Sequence, residues 1–263
     1  MKGVKLDKIK NELSKSWLLS IRSGVNLVLN LFFPPRCSFC TQIMEWSRRE
    51  EELICPDCLN QISLIDSEGC LYCGKKLLDE KKECSCRQDE RKLYYAKVYS
   101  ACEYSGIIRQ KLLDFKFSGK KELSRVFAWL IIRKLQMTNK KFFDIIISVP
   151  MHETSVRKRG YNQSELIAEH IASYYSTPLV VKNLVKTRET LAQSKLDKKD
   201  RIQNLKDAFK TTSKKELVGK KILLVDDILT TGSTVNECSK VLIESGAKEV
   251  FVATAATGKI VID

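Results

Sequence analysis

The chain has 263 residues, of which 43% are hydrophobic and 30% are charged. This composition is typical of a globular protein with one large domain or two modest ones, and it excludes a chain that is mostly disordered. The 46 Lys and Arg residues outnumber the 32 Asp and Glu residues, which gives a formal charge of +14. Such an excess favours a polyanionic partner or a phosphate-bearing ligand.

The first apolar stretch, WLLSIRSGVNLVLNLFF, covers residues 17–33 and is interrupted by Arg22, Ser23 and Asn26. It is too short and too polar to span a bilayer, so we predict no transmembrane segment. An amphipathic helix that docks on the protein is favoured over a helix on a membrane surface. No secretory signal is evident in the first twenty residues, which predicts a cytoplasmic location with reduced cysteines.

Eight of the ten cysteines follow this stretch as four consecutive pairs, three with a two-residue gap and the last with a one-residue gap. Two thiolates of one tight turn reach the same metal ion, and two such turns complete a four-cysteine zinc site. We therefore predict structural zinc: two ions as the simplest arrangement, and one if the last pair closes no site. Disulfides and redox-active thiols are the less favoured alternatives. The ligands are Cys37, Cys40, Cys55 and Cys58 for the first site, and Cys70, Cys73, Cys84 and Cys86 for the second.

The charge is unevenly distributed along the chain. Residues 1–92 carry 16 basic and 14 acidic residues, whereas residues 93–263 carry 30 basic and 18 acidic residues, a formal charge of +12. We divide the chain at this point into an amino-terminal helix and zinc ribbon region, 1–92, and a second domain, 93–263. The remaining cysteines, Cys102 and Cys238, are expected to be buried as small hydrophobic residues.

The second domain alternates apolar strands with amphipathic helices. Strands are predicted at 144–150, at 221–227 and in the second half of 245–257, and a helix is predicted at 164–175. This alternation predicts an α/β fold with a parallel sheet covered on both faces. In such a sheet the ligand binds at the carboxyl ends of the strands.

One strand ends in two adjacent carboxylates, Asp226 and Asp227, and a hydroxyl-rich loop follows them. Ionised carboxylates accept hydrogen bonds, and a sugar diol offers two donors. The loop opens a helix, so its hydroxyls and backbone amides can hold a phosphate. Together they predict a ribose 5-phosphate site. The loop consists of Thr230, Thr231, Gly232, Ser233 and Thr234.

Two further segments are rich in cations. Arg157, Lys158 and Arg159 precede Gly160 in a second strand-end loop, which supplies cations and free amides for a diphosphate. A solvated basic turn is the alternative for this loop. The segment 184–209 lies in a stretch of formal charge +8 (residues 182–221) and is predicted to be a lid over the site, with a solvated helical face as the alternative.

The stretch from Ile222 to Thr234, ILLVDDILTTGST, resembles the signature of type I phosphoribosyltransferases. The chain as a whole, from about residue 30 onward, resembles the ComF-type competence-protein family. The matching segments are FPPRCSFC at 33–40, VP at 149–150, RGYNQ at 159–163 and VDDILTTGST at 225–234. Between them the pattern also matches Leu184, Arg188, Gln193, Leu196, Arg201, Asn204 and Phe209.

This resemblance implies a phosphoribosyltransferase-like domain after a zinc ribbon region. It implies binding of 5-phosphoribosyl 1-diphosphate with magnesium. Asp226 and Asp227 would be the catalytic residues and would bind the ribose hydroxyls, and Arg188 and Arg201 would also bind the ligand. Magnesium would be held mainly by oxygens of the ligand and by water. The family also implies a role in natural transformation or the handling of imported DNA, with single-stranded DNA and other competence or DNA-processing proteins as partners.

Two functions remain open from the sequence. The first is an enzyme that transfers the phosphoribosyl group to an acceptor that no motif identifies, with a purine or pyrimidine as the default. The second is a single-stranded-DNA-handling protein that keeps the pocket for ligand sensing, in which Tyr161, Phe115, Phe117 or the tyrosines 174 and 175 could stack on bases. Nothing in the sequence pattern couples the zinc region to the aspartate loop.

Overall fold

The structure is a computed structural model, and it describes residues 33–44, 53–66, 69–77, 84, 86, 92–137, 142–190 and 204–258. The chain forms two compact units, Met1–Pro56 and Asp57–Asp263. The helix predicted at 17–33 lies outside the described residues except for Phe33. Within the described part of the chain, every helix is too short or too polar to cross a membrane.

The described residues form six strands and six helices. The strands are β1 (Lys97–Glu103), β2 (Ile145–Ser148), β3 (Leu184–Lys186), β4 (Phe209–Thr211), β5 (Lys221–Leu229) and β6 (Glu249–Thr257). The helices are α1 (Pro56–Asn60), α2 (Gly106–Phe117), α3 (Leu123–Gln136), α4 (Glu153–Arg159), α5 (Gln163–Tyr175) and α6 (Ser233–Glu244).

The central sheet has four parallel strands in the order β1-β6-β5-β2. Most residues of these strands are buried along the whole length of the strand because both faces of the sheet are covered. Helices α3 and α5 pack on one face. The other face buries Leu224 and Val252 against Val235, Cys238 and Leu242 of α6. The predicted parallel α/β fold is therefore confirmed.

The turn from Cys70 to Cys73, called the knuckle of the second zinc site from here on, packs on that second face of the sheet. Cys70 and Cys73 belong to the same buried cluster as Val98 of β1 and Leu242 of α6. Gly74, just after the knuckle, has a φ of +69°, and a Cβ there would lie 2.3 Å from the Ser100 hydroxyl oxygen. Only glycine fits a backbone that is both left-handed and this close to its neighbour. The knuckle is thus packed directly on the sheet.

Candidate functional site

Asp226 and Asp227 lie at the carboxyl end of β5, as predicted, but the strand continues two residues beyond them. Leu229 still pairs with Thr257 of β6, which keeps the backbone extended past the aspartates. Because successive residues of a strand point to opposite faces, the two carboxylates have different surroundings.

Asp226 accepts two hydrogen bonds on one carboxylate oxygen. The Ser164 hydroxyl donates to Asp226 Oδ1 at 2.8 Å, and the backbone N–H of Asp227 donates to the same atom at 2.9 Å. Burial, with the adjacent charge of Asp227 as the second cause, raises the pKa of Asp226 to about 7. The two hydrogen bonds and Lys116 oppose this rise without cancelling it. Near neutral pH the Asp226 carboxyl group is therefore populated in both its protonated and its ionised form.

Asp227 is buried and is paired with a lysine from a distant helix. Its Oδ2 lies 2.8 Å from Nζ of Lys116, which sits in the last turn of α2. Both side chains are largely covered, at 10% and 22% exposure, so this pair is less screened than a surface ion pair. Lys116 therefore supplies a positive charge directly beside the aspartate pair.

The start of α5 aims Ser164 at Asp226. Asn162 caps the helix, since its Oδ1 accepts from the backbone N–H of Ser164 at 3.1 Å. Its Nδ2 donates to the carbonyl of Val149 at 3.1 Å, just beyond β2. Tyr161, next to the cap, is buried, and its hydroxyl donates to the carbonyl of Phe115. The RGYNQ segment thus fixes two helices at the strand ends.

A stability prediction follows from the raised pKa of Asp226. An acid whose pKa is higher in the folded state stabilises the fold below its unfolded value, near 3.8, and this contribution is lost as pH rises through about 7. Asp226→Asn removes the cost of the ionised form. We expect it to raise the free energy of unfolding at about pH 8 by on the order of 1–3 kcal/mol, and to change it little at about pH 4.

Urea unfolding at both pH values measures this effect. Asp227→Asn is the matched control, because it removes the partner of the half-buried Lys116 and should give a smaller gain or a loss of stability. Equal effects of Asp226→Asn at the two pH values would contradict the raised pKa.

The hydroxyl-rich loop leads from β5 into α6, as predicted. Gly232 is the N-cap of α6 and has a φ of +75°, a conformation that favours glycine. The Thr231 and Ser233 hydroxyl oxygens lie 3.0 Å apart, and the Ser233 N–H donates to Thr231 Oγ1 at 3.5 Å. Thr230 is exposed and Thr234 half-buried. Hydroxyls and the amides of a 12-residue helix N-terminus converge here, which suits a phosphate.

The basic triplet lies on a short helix rather than in a loop. Arg157, Lys158 and Arg159 form the last turn of α4, and Gly160 ends that helix with a φ of +84°. A Cβ at Gly160 would meet no protein atom within 4 Å, so the positive φ rather than crowding by the protein favours glycine there, and close approach of a ligand stays a prediction. Arg157 and Lys158 are exposed, whereas Arg159 is half-buried.

Arg159 is the best-positioned cation of this triplet. Its guanidinium donates to Gln163 Oε1 at 2.6 Å and lies over the ring of Phe117 at 5.4 Å from the centroid. Gln163 precedes Ser164 and Phe117 follows Lys116 in the sequence, so Arg159 contacts the sequence neighbours of both residues that pair with the aspartates.

The segment predicted to be a lid begins and ends in an antiparallel hairpin, β3 with β4. Its middle, 191–203, including Arg201, lies outside the described residues. Arg188 donates from Nη2 to the carbonyls of Asn204 and Lys206 at 3.0 and 2.8 Å. This arginine therefore links the two described ends of the segment, and its role in ligand binding stays a prediction.

A cleft of about 630 Å³ opens between α4 and this hairpin. Arg157, Pro150 and Met151 line one side of it, and Lys182 and Lys186 line the other. Burial lowers the pKa of Lys186, whose ammonium donates to Thr190 Oγ1 at 2.6 Å. The cleft thus combines apolar walls with cations from two elements and with the carboxylates of Glu153 and Glu165.

The eight cysteines form two clusters from sequential pairs, as predicted. In each cluster the four sulfur atoms lie within 4.8 Å of one another. Cys40 and Cys55 sulfurs are 3.7 Å apart, and the Cys70–Cys86 and Cys73–Cys84 pairs are both 3.4 Å apart. Four thiolates at the Zn–S distance of about 2.3 Å around one ion would be about 3.8 Å apart. All ten cysteines are free thiols, so both clusters fit structural zinc, including the pair with the one-residue gap.

Ser164 and Lys116 are site residues that the sequence analysis missed. Ser164 directly follows the RGYNQ segment, and a hydroxyl at the start of a helix near the strand ends was a usable signal. No local pattern indicates Lys116, since it reaches Asp227 across more than a hundred residues of chain.

Comparisons with known proteins agree with this organisation. A family model for a double zinc ribbon domain matches residues 28–88, and one for a phosphoribosyl transferase domain matches residues 124–260, just over half of the chain. Competence protein F of Haemophilus influenzae is 31% identical over 227 residues, which cover 84% of this chain and 96% of that protein.

Two further relatives show the same extent of similarity. Competence protein ComFC of Streptococcus pneumoniae is 28% identical over 227 residues, covering 82% of this chain and 96% of that protein. DNA utilization protein YhgH of Escherichia coli K12 is 27% identical over 220 residues, covering 82% and 87%. The chain therefore belongs to the ComF-type competence-protein family and combines a double zinc ribbon with a phosphoribosyl transferase domain.

Proposed function

We propose that the carboxyl edge of the sheet binds 5-phosphoribosyl 1-diphosphate together with magnesium. The observation that carries this proposal is the succession of two carboxylates, a hydroxyl-rich turn and a helix N-terminus within residues 226–234. The two ribose hydroxyls need hydrogen-bond acceptors, and the 5-phosphate at the other end of the sugar needs hydrogen-bond donors. Asp226 and Asp227 provide the acceptors, and Thr230–Thr234 provide the donors.

The basic residues fit the diphosphate end of the ligand. Arg159 lies over the ring of Phe117, the residue after Lys116, and Arg157 lines the cleft with Lys182 and Lys186. Arginine forks bind phosphate oxygens in a bidentate manner, and lysines add point charges. Magnesium, where bound, would neutralise diphosphate oxygens and remain coordinated mainly by the ligand and water.

The reaction that suits such a site is transfer of the phosphoribosyl group. The bond from C1 of the ribose to the diphosphate oxygen breaks, the leaving diphosphate keeps the electron pair, and a nucleophile bonds to C1 and loses its proton. Positive charge develops on the sugar, so neutralising the leaving group and excluding water are the tasks of the protein. The cations of α4 serve the first task. The second is the task that the sequence predicts for segment 184–209, of which residues 191–203 lie outside the described part of the chain.

Pyrophosphate release across a panel of purines and pyrimidines tests this activity. We expect release with one class of base, and at least a hundredfold less in the Asp226→Asn, Asp227→Asn double variant. Binding without release for any base would exclude transfer to a nucleobase and would favour a ligand-sensing pocket.

Single-stranded nucleic acid is the second candidate ligand, and an exposed aromatic favours it. Phe117 is 73% exposed at the end of α2, and the Arg159 guanidinium covers part of its ring. Lys116, Lys120 and Lys121 surround it in the sequence. A base can stack on such a ring while the cations neutralise phosphates. By contrast, Tyr161 and Phe115, two other candidates from the sequence, are buried.

Binding of single-stranded DNA is therefore expected to fall steeply as salt concentration rises. Phe117→Ala should weaken binding by roughly 1–3 kcal/mol per stacked base and leave the salt slope unchanged. Ala substitution of Lys195, Lys198, Lys199 and Arg201, which lie outside the described residues, should instead flatten the slope. Fluorescence anisotropy of a labelled oligonucleotide at several salt concentrations measures both effects.

Val218→Ala is the control, because Val218 is an apolar side chain that is 61% exposed but has no ring to stack on a base. Binding that ignores ionic strength, or an equal loss from Val218→Ala and Phe117→Ala, would rule out this interface.

A further inference from the structure

The knuckle of the second zinc site presents three consecutive carbonyls to the phosphoribosyl transferase domain. The carbonyl of Leu71 accepts from the Val98 N–H at 2.9 Å. The carbonyl of Tyr72 accepts from the Tyr95 hydroxyl at 2.8 Å, and that of Cys73 accepts from Thr257 Oγ1 at 2.8 Å. Every bond joins the turn between two zinc ligands to the strand β1, the segment before it, or the end of β6.

One of these donors also lies close to the hydroxyl-rich loop at residues 230–234, which is called the phosphate loop from here on. Tyr95 is buried, and its hydroxyl oxygen would lie 3.3 Å from a Cβ placed on Gly232. Gly232 is the N-cap residue at which the loop passes into α6. The Tyr95 hydroxyl therefore donates to the knuckle carbonyl of Tyr72 and occupies the space that a side chain at Gly232 would enter.

A second clamp holds the same segment against α6. The side chain of Asn236 accepts from the Tyr94 N–H through Oδ1 at 2.9 Å and donates through Nδ2 to the carbonyl of Lys92 at 3.1 Å. Asn236 also donates its backbone N–H to the carbonyl of Gly232 at 2.9 Å. The chain that leaves the second zinc site is thus tied to the first turn of the helix that the loop opens.

We infer that the second zinc site, with Tyr95 as its positioning residue, is a strut that holds the phosphate loop in its binding conformation. Zinc bound by Cys70, Cys73, Cys84 and Cys86 would fix the knuckle, and the knuckle fixes Tyr95 and Gly232. A loop held in advance pays less conformational entropy when a phosphate binds. The sequence analysis found no coupling between the two regions because these contacts join residues far apart in the chain.

This inference rests on the proposed function for its ligand but can be tested without one. Tyr95→Phe keeps the ring and removes one hydroxyl. Hydrogen exchange of the backbone amides at 230–236 in the zinc-loaded full-length protein should become about three- to tenfold faster, the effect of one hydrogen bond. Affinity for 5-phosphoribosyl 1-diphosphate with magnesium should fall by a similar factor, and zinc content should not change.

Thr257→Val, which removes the donor to Cys73, should act in the same direction. Tyr175→Phe is the control, since Tyr175 packs against Phe143 and Tyr174 and should leave exchange at 230–236 unchanged. Faster exchange in the two test variants supports the strut even if the wild-type protein binds no phosphoribosyl ligand, in which case only the proposed function fails. Unchanged exchange in both variants overturns the strut, whatever the ligand result.

Discussion

Metal analysis of protein purified without chelator is expected to find about two zinc ions per chain. The two clusters place four sulfur atoms each within bonding range of one ion. The cysteine-rich region has few large apolar residues, so zinc binding supplies much of its folding free energy; apparent values for zinc-finger peptides are about 10–16 kcal/mol. Removing zinc with a chelator should therefore unfold this region, which far-ultraviolet circular dichroism and hydrogen exchange would detect.

Cys102→Ala is the matched control for this experiment. Cys102 is fully buried in β1 and belongs to neither cluster, so this variant should keep both ions. A stoichiometry near one would mean that Cys84 and Cys86 close no second site. A metal-free protein that keeps its cysteine-rich region folded would contradict structural zinc altogether.

The Asp226→Asn, Asp227→Asn double variant is expected to bind 5-phosphoribosyl 1-diphosphate at least tenfold more weakly than the wild-type protein. Two charge-assisted hydrogen bonds to the ribose hydroxyls are lost, each contributing on the order of 1.5–3 kcal/mol. Thr231→Val should weaken binding as well, because it removes a hydroxyl from the phosphate loop. Calorimetric titration with magnesium present gives all three affinities.

Asp114→Asn provides the control for the loss of negative charge. Asp114, on α2, pairs with Lys111 of the same helix and with Lys120 beyond its end, and these pairs involve neither aspartate of the site. It should leave affinity unchanged. Equal affinity of the double variant and the wild-type protein would show that the aspartate pair has another role.

The features that the sequence predicted correctly are those determined by local pattern. Two cysteines of one tight turn can reach the same metal ion, so their spacing alone predicts that both belong to the same cluster. The run ILLV before Asp226 reads as a buried strand, and the glycine after two threonines reads as the turn into a helix. Each of these depends on residues within a few positions of one another.

The features that the sequence did not predict depend on contacts made by folding. Ser164 meets Asp226 across 62 residues, and Tyr95 meets the Tyr72 carbonyl and Gly232 at once. Local pattern also misled at α4, where the cations of 157–159 read as a loop. His152 accepts from the Thr154 N–H and caps a two-turn helix there, which Gly160 then ends. A short helix without buried residues leaves no apolar periodicity to detect.

Binding of 5-phosphoribosyl 1-diphosphate to the wild-type protein tests the central claim most directly. Isothermal titration calorimetry of the zinc-loaded chain, with magnesium in excess, is the measurement. The site at residues 226–234 predicts saturable binding near one ligand per chain and slower hydrogen exchange of the amides at 230–236 in the complex. Absence of saturable heat, with exchange at 230–236 unchanged by the ligand, would contradict a sugar-phosphate site at the end of β5.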